Sequence, residues 1–321
     1  MPLHLACFYL PLGSGSLFRY FYYIRLIMLK GNLKKLRAID AIIILYSLIM
    51  IVLNVSFGYR LNYQLTNVIT YIGCISISII FTALRVKFNM SIVKILSNLY
   101  PIILLIAFYE VSGFQIHIFF SGFYDSILLK IENALFTVHP TVWLQQFNHP
   151  LFTEWMMFGY SAYLLLLPFT VGWLFFKGSQ KESENLVLSL LISFFICYIV
   201  FILLPVEGPR FVLADQYTVT FKGYFFMNIV ELLENKAMLH GGAFPSAHCS
   251  AATVMLILSY KYDKKLYFLI LPIIITLYIS TMYGRYHYPL DVLAGIIAGI
   301  VGIKLSYPIE KLWGKITNNS S

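Results

Sequence analysis

Long apolar runs separated by short polar breaks occupy most of the chain, and a membrane helix needs about 20 consecutive, mostly apolar residues. By that measure residues 38–58, 65–83, 91–110, 154–176, 186–205, 247–260, 266–283 and 288–306 are predicted membrane spans. The run at 247–260 is short, begins beside polar Ser246 and His248, and is expected to extend slightly at its other end. Two longer connections break the rhythm. Residues 111–153 include YDSILLKIENALFTVHPTVWLQQFNHP, whose spaced Ile, Leu, Phe and Trp predict an amphipathic helix in the membrane interface. Residues 206–245 include VEGPRF and then YFFMNIVELLENKAMLHGGAFP.

The basic residues give this alternation a direction. Lys30, Lys34, Lys35 and Arg37 precede the first span, and Arg85, Lys87 and Lys94 lie between the second and third. Lys177 and Lys181 follow the fourth span, Lys261, Lys264 and Lys265 follow the sixth, and Lys304, Lys311 and Lys315 come last. With eight spans all of them fall on one side, which the positive-inside rule assigns to the cytoplasm, together with both termini. The two long connections and the turn containing His287 then face outward together.

Composition excludes a soluble domain. Sixty per cent of the residues are hydrophobic and 12% are charged, against about 25% charged in soluble proteins. The formal net charge of +9 comes with no aromatic-basic recognition face, so it reads as loops facing an anionic leaflet and not as a nucleic-acid surface. Cys7, Cys74, Cys197 and Cys249 form no CxxC pair and read as small apolar residues. The first 27 residues place apolar sequence before Arg19 and Arg25, the reverse of a signal peptide. From Met28 the sequence MLKGNLKKLRAID reads as an ordinary cytoplasmic lead, which leaves open an over-long start at Met1 and an interfacial segment.

Polar residues at the outward helix ends carry the chemistry, because a buried polar group must be satisfied and usually has a function. In PSAH (245–248), Pro245 and Ser246 favour a helix start that places His248 at the outer mouth. His287 and Asp291 have the spacing that puts two side chains on one helical face, so Asp291 is expected to accept the proton of one ring nitrogen and leave the other free. Arg210 in GPRF and Arg285 in YGRYHY offer guanidinium forks that match phosphate oxygens, and backbone N–H groups near Ser246 add further donors. This set suits phosphoryl transfer with no metal and no cofactor: one histidine attacks phosphorus, another protonates the leaving oxygen, and arginines hold the growing charge. Singly, each residue also has a plain reading as a cap, an interfacial group or a snorkelling cation. His117, His139, His149 and His240 read as loop or interface residues, and Tyr283, Tyr286 and Tyr288 as an aromatic belt.

These stretches resemble the membrane-embedded type 2 phosphatidic acid phosphatase (PAP2) superfamily, nearest its inositol phosphorylceramide synthase-like branch. PSAH matches the proline-serine-glycine-histidine motif, with Ala247 in the glycine place. Ser280, Thr281, His287 and Asp291 match the later serine-arginine, five residues, histidine, three residues, aspartate motif, with Thr281 in the arginine place. The lysine and arginine-proline motif of the family is not present in that form, and GPR at 208–210 stands in about its place. HPTVWLQQF also resembles the synthase-like branch, and the likeness covers roughly residues 110 to 306. It implies an all-α integral membrane fold, with a six-helix core of the PAP2 type plus extra N-terminal spans. It also implies a phosphohistidine on His287 oriented by Asp291, with His248 as acid and then base.

The expected organisation is a cytoplasmic or interfacial segment 1–37, N-terminal transmembrane helices 38–110, a catalytic membrane domain 111–306 and a cytoplasmic tail 307–321. A lipid phosphatase is the first reading, and a phosphotransferase passing a head group to a lipid acceptor is the second, because both use the same residues. A lipid transporter is the alternative of another class, opposed by the lack of an internal repeat and by polar groups gathered at one face. The substrate is expected to be a membrane phospholipid or a polyprenyl phosphate. The expected site faces outward or lumenward in a plasma membrane, or in a Golgi-like membrane for a eukaryotic synthase.

Overall fold

The computed structural model describes residues 35–58, 61, 63–237 and 239–318. The N-terminal segment with Cys7, Arg19, Arg25, Met28, Lys30 and Lys34 lies outside them. The described residues form α1 (Ala38–Phe57), α2 (Gln64–Lys87), α3 (Ser91–Gln115), α4 (Asp125–Leu135), α5 (Pro140–Trp143) and α6 (Pro150–Lys177). They continue with α7 (Gln180–Leu203), α8 (Pro209–Val212), α9 (Phe225–Ala237), α10 (Ala247–Tyr262), α11 (Lys264–Tyr283) and α12 (Pro289–Asn318). Seven of them, α1, α2, α3, α6, α7, α11 and α12, are long and apolar enough to cross a membrane. The chain is an all-α, multi-pass integral membrane protein.

The short eighth run is α10, of 16 residues, which extends past the predicted 260 to Tyr262. It packs against α6, α7, α11 and α12, and most of its residues are buried on every side. A helix enclosed by other helices can be apolar all round without spanning the full hydrocarbon thickness. Helix α3 packs against both α6 and α7. Helix α1 likewise packs against α7 and α12, and α2 packs against α1 and α3. The expected domain boundary at 110 falls inside α3. The expected tail at 307 likewise continues α12 as helix to Asn318. There Trp313 Nε1 donates to the Leu36 carbonyl at 2.8 Å, so the last turns dock on the bundle after their hydropathy has fallen.

Local sequence sets the helix starts. Ser179 and Glu182 form a capping box at α7, with both reciprocal hydrogen bonds at 3.1 Å. Asp263 caps α11 by accepting from the N–H groups of Lys265 and Leu266, and it also accepts from Trp173 Nε1 on α6. Pro150 and Pro289 open α6 and α12 at positions where no N–H is needed.

All the described basic clusters lie at one end of the bundle. There Arg37 and Arg85 both pair with Asp40 at 3.1 Å, and Tyr100 Oη donates to the same carboxylate at 2.7 Å. Arg37 also reaches Asn98 on α3 and Glu184 on α7. Asp40 is fully buried, and a buried charge is tolerated only when paired and hydrogen-bonded. The network ties α1, α2, α3 and α7 together at this end. The residues singled out from the sequence for chemistry lie at the opposite end.

Glycines let α12 approach its neighbours. A Cβ on Gly299 would sit 2.9 Å from Thr253 Cβ on α10, and one on Gly302 would sit 2.8 Å from the Ser189 carbonyl on α7. Backbones meet this closely only where side chains are absent. Gly299→Val is therefore expected to destabilise the detergent-solubilised protein by about 1–3 kcal/mol, read as a lower unfolding temperature. Gly314→Ala, with nothing within 4 Å of the added carbon, is expected to raise that temperature slightly, because alanine is the better helix former by up to about 1 kcal/mol.

Candidate active site

Four chain segments meet at the end away from the basic clusters. Val206 bridges to Gly242, with Val206 N–H donating to the Gly241 carbonyl at 3.1 Å and Ala243 N–H to the Val206 carbonyl at 3.0 Å. Tyr124 N–H donates to the Pro205 carbonyl at 2.8 Å and Ser246 N–H to the Asp291 carbonyl at 2.9 Å. This lacing brings the start of α4, the GPR loop, the approach to α10 and the α11–α12 turn into one floor. The Phe244–Pro245 peptide within it is cis.

The α11–α12 turn presents His287. Arg285 ends the helix in the left-handed region, at φ 66°, and the N–H groups of Tyr286 and His287 then double back onto the Thr281 carbonyl at 3.0 and 3.1 Å. His287 is 5% exposed. Its Nδ1 lies 2.8 Å from the Ala243 carbonyl oxygen. A carbonyl can only accept, so Nδ1 carries the proton and Nε2 keeps its lone pair. Burial pushes this imidazole down to about 4, against the opposing effect of the Ala243 hydrogen bond, so at neutral pH the ring is uncharged.

Asp291 was expected to accept the proton of one ring nitrogen, and here the arrangement differs. Its Oδ2 stands 3.6 Å from Nδ1 and accepts instead from Tyr288 N–H at 2.7 Å. The one-face argument requires both residues on a single helix, whereas α12 begins at Pro289 and leaves His287 in the turn before it. Asp291 thus caps the turn behind the ring, while the Ala243 carbonyl fixes the tautomer.

His248 sits in the first turn of α10, its ring centroid 5.8 Å from that of His287. The rings of Tyr160 and Tyr163 on α6 lie 5.0 and 4.7 Å from it, and Tyr286 lies 4.5 Å from Tyr160. These aromatic rings wall the pair of histidines on the α6 side. The structure thus brings His248, His287 and Asp291 together.

The three residues expected to hold phosphate are placed differently from one another. Arg210 on α8 pairs with Glu234 on α9, and its guanidinium lies 5.8 Å from the Tyr286 ring. Arg285 donates to the Val219 carbonyl at 2.7 Å and stacks on Tyr217 and Phe221, 4.1 and 4.3 Å from their centroids. In this arrangement one N–H of its guanidinium serves the 217–221 segment, while its Nε is buried without a hydrogen-bond partner among the described residues. Ser246 is fully buried, and its hydroxyl accepts from Cys249 N–H at 3.3 Å as the N-cap of α10. Thr281, in the usual arginine place, is buried with its hydroxyl turned to the Tyr278 carbonyl. Among the described residues no three His, Cys, Asp or Glu side chains are grouped to hold a metal ion.

Several residues of the site escaped the sequence reading. Buried Glu132 on α4 accepts from Leu290 N–H at 3.3 Å and stands 3.5 Å from His139. Asp125 accepts from two backbone N–H groups of the GPR loop. Their signal was present as acidic residues at positions 125 and 132 of one amphipathic helix, the spacing of two turns, facing the same way as Leu128.

The PAP2 superfamily profile matches residues 126–305. A PA-phosphatase related-family protein of Dictyostelium discoideum is 28% identical over 121 residues, a match that spans 36% of this chain and 22% of that protein. The crystal structure of Aquifex aeolicus LpxE aligns with 51% of this chain and 92% of its own, at 19% identity and a TM-score of 0.36. With the family match covering more than half of its 321 residues, this chain belongs to the PAP2 superfamily.

Proposed function

We propose that this protein is a lipid phosphatase that hydrolyses a phosphoester or phosphoanhydride of a membrane lipid through a phosphohistidine on His287. The observation that carries the reading is the fixed tautomer of His287, with Nδ1–H on the Ala243 carbonyl and the second histidine across from Nε2's ring at 5.8 Å. In the first step Nε2 attacks phosphorus, the bond from phosphorus to the lipid oxygen breaks, and His248 gives that oxygen a proton. The imidazolium formed keeps its Nδ1 proton, held by Ala243 and faced by the Asp291 carboxylate. In the second step His248 takes a proton from water as the water oxygen attacks phosphorus, the P–N bond breaks, and phosphate leaves. Arg210 neutralises the charge on the phosphoryl oxygens. The reaction runs on side chains alone, so turnover is expected to persist in a chelator.

A phosphotransferase differs only in the second step, where a lipid or polyol hydroxyl replaces water. The GAFPSAH and YGRYHY stretches, similar to the inositol phosphorylceramide synthase-like branch, favour it. In either case the basic end of the bundle is assigned to the cytoplasm and the site to the outer or lumenal face, with the plasma membrane as the default location.

The test uses full-length protein in detergent with phosphatidate, farnesyl diphosphate and phosphatidylinositol, each alone and with ceramide or diacylglycerol. Free phosphate from one of these lipids, insensitive to chelator, is the expected result. A head group on the added acceptor without free phosphate would replace hydrolysis by transfer. Neither product from folded protein would overturn the enzymatic reading.

A further inference from the structure

We propose that Asp125 is a positioning residue that locks the loop carrying Arg210 to the turn carrying His287, an inference that rests on the reaction assigned above. Asp125 opens α4 and is 5% exposed. One carboxylate oxygen accepts from Glu207 N–H at 2.9 Å, and the other accepts from Gly208 N–H at 2.9 Å. The oxygen facing Gly208 also accepts from Tyr288 Oη at 3.2 Å. A single buried carboxylate therefore bonds to both segments that the reaction uses, one through two backbone donors and the other through a side chain.

Each segment needs this tie. The GPR loop turns at Gly208, where φ is 103°, and a Cβ there would lie 3.1 Å from the Tyr286 carbonyl. The loop therefore lies against the turn that presents His287, close enough for a small shift of either to alter the site. Arg210 follows two residues later and lies 40% exposed along its side chain, so its place depends on the loop beneath it. Tyr288 is held at both ends, its N–H by Asp291 at 2.7 Å and its hydroxyl by Asp125. His287 is the residue directly before it. Moving Tyr288 tilts the peptide that aims Nε2, while moving Gly208 displaces the guanidinium that meets the phosphoryl oxygens.

Asp125 touches neither substrate nor reacting atoms in this arrangement; it acts through the two groups that do. The geometry of attack tolerates little error, and a displacement of about 1 Å costs on the order of 100-fold in rate. Asp125→Asn keeps the volume but turns an amide N–H₂ toward one of the two N–H donors, so one of the two loop contacts must break. Tyr288→Phe removes only the hydroxyl link and leaves the loop contacts intact, which makes it the gentler variant.

The experiment compares wild-type protein, Asp125→Asn, Tyr288→Phe and the double variant in detergent by two readouts. Backbone hydrogen exchange is followed in peptides covering 206–213 and 284–291, and lipid phosphate release gives kcat and KM on the folded fraction. The expected result is faster exchange in both segments for either single variant, including the 206–213 segment in Tyr288→Phe, where no residue of that segment has changed. The kcat of Asp125→Asn is expected to fall about 100-fold, that of Tyr288→Phe by less, and the double variant to fall no further than Asp125→Asn. Exchange changes confined to each variant's own segment, or a kcat per folded molecule within twofold of wild type, would overturn the proposal. Linked exchange in a wild-type protein that turns over no lipid would leave the tie standing and remove the assigned reaction instead.

Discussion

His287→Ala is expected to lower lipid turnover by on the order of 10⁵-fold, the scale on which enzymes lose rate when a covalent nucleophile is removed. The size follows from the site. Of the two histidines that face each other at the site, His287 is the one whose Nδ1 is fixed by a carbonyl, that of Ala243 at 2.8 Å; the similar bond of His117 to the Phe120 carbonyl at 3.0 Å belongs to an exposed residue elsewhere in the chain. The His287 ring lies in the turn between α11 and α12, outside both helices, and its loss removes no helical hydrogen bond and no capping group. The variant should therefore insert and melt much as the wild type does. Rapid quenching of wild-type protein with labelled substrate should trap an acid-labile, alkali-stable phosphoryl group that His287→Ala lacks. Turnover within tenfold of wild type would remove His287 from the attacking position.

How far the sequence carried this picture depends on the range of each interaction. Membrane helices were legible because each is a local apolar run, and even the short α10 announced itself through Ser246 and His248. His248, His287 and Asp291 stood out because polar groups in apolar surroundings need a reason. The hydrogen bond of His287 Nδ1 was not legible because its partner is a carbonyl 44 residues away, and a backbone oxygen leaves no mark in the residue code. Asp125 and Gly208 meet across 83 positions, and Arg85 reaches Asp40 across 45; neither separation has a periodicity to read. Arg285 was legible as a cation close in sequence to His287. What it faces depends on the 217–221 segment, whose path no pattern announces. The glycines at 295, 299 and 302 were visible as small residues on one helix, but that they meet the backbones of α10 and α7 is a property of packing.

His248→Gln is expected to lower release of phosphate from a lipid by about 10²–10⁴-fold, the range for loss of a positioned acid and base. The size should depend on the leaving group. A lipid alkoxide cannot depart without a proton, so the first step needs the acid that His248 supplies. A nitrophenolate departs unprotonated, so with a nitrophenyl phosphate the same variant should form the phosphohistidine at close to the wild-type rate. Its second step still lacks the base that activates water. The variant should therefore release a rapid burst of nitrophenolate, one equivalent per folded site, and then turn over slowly. Wild-type protein, which keeps the base for the second step, should continue past the first turnover without this slow phase. The position of His248 supports the two roles: its ring is 5.8 Å from that of His287 and is held between Tyr160 and Tyr163, so it serves one locus from one side in both steps. Equal losses for lipid and nitrophenyl substrates, with no burst, would mean that His248 only packs between those tyrosines, and the proton would have to come from another group at the site.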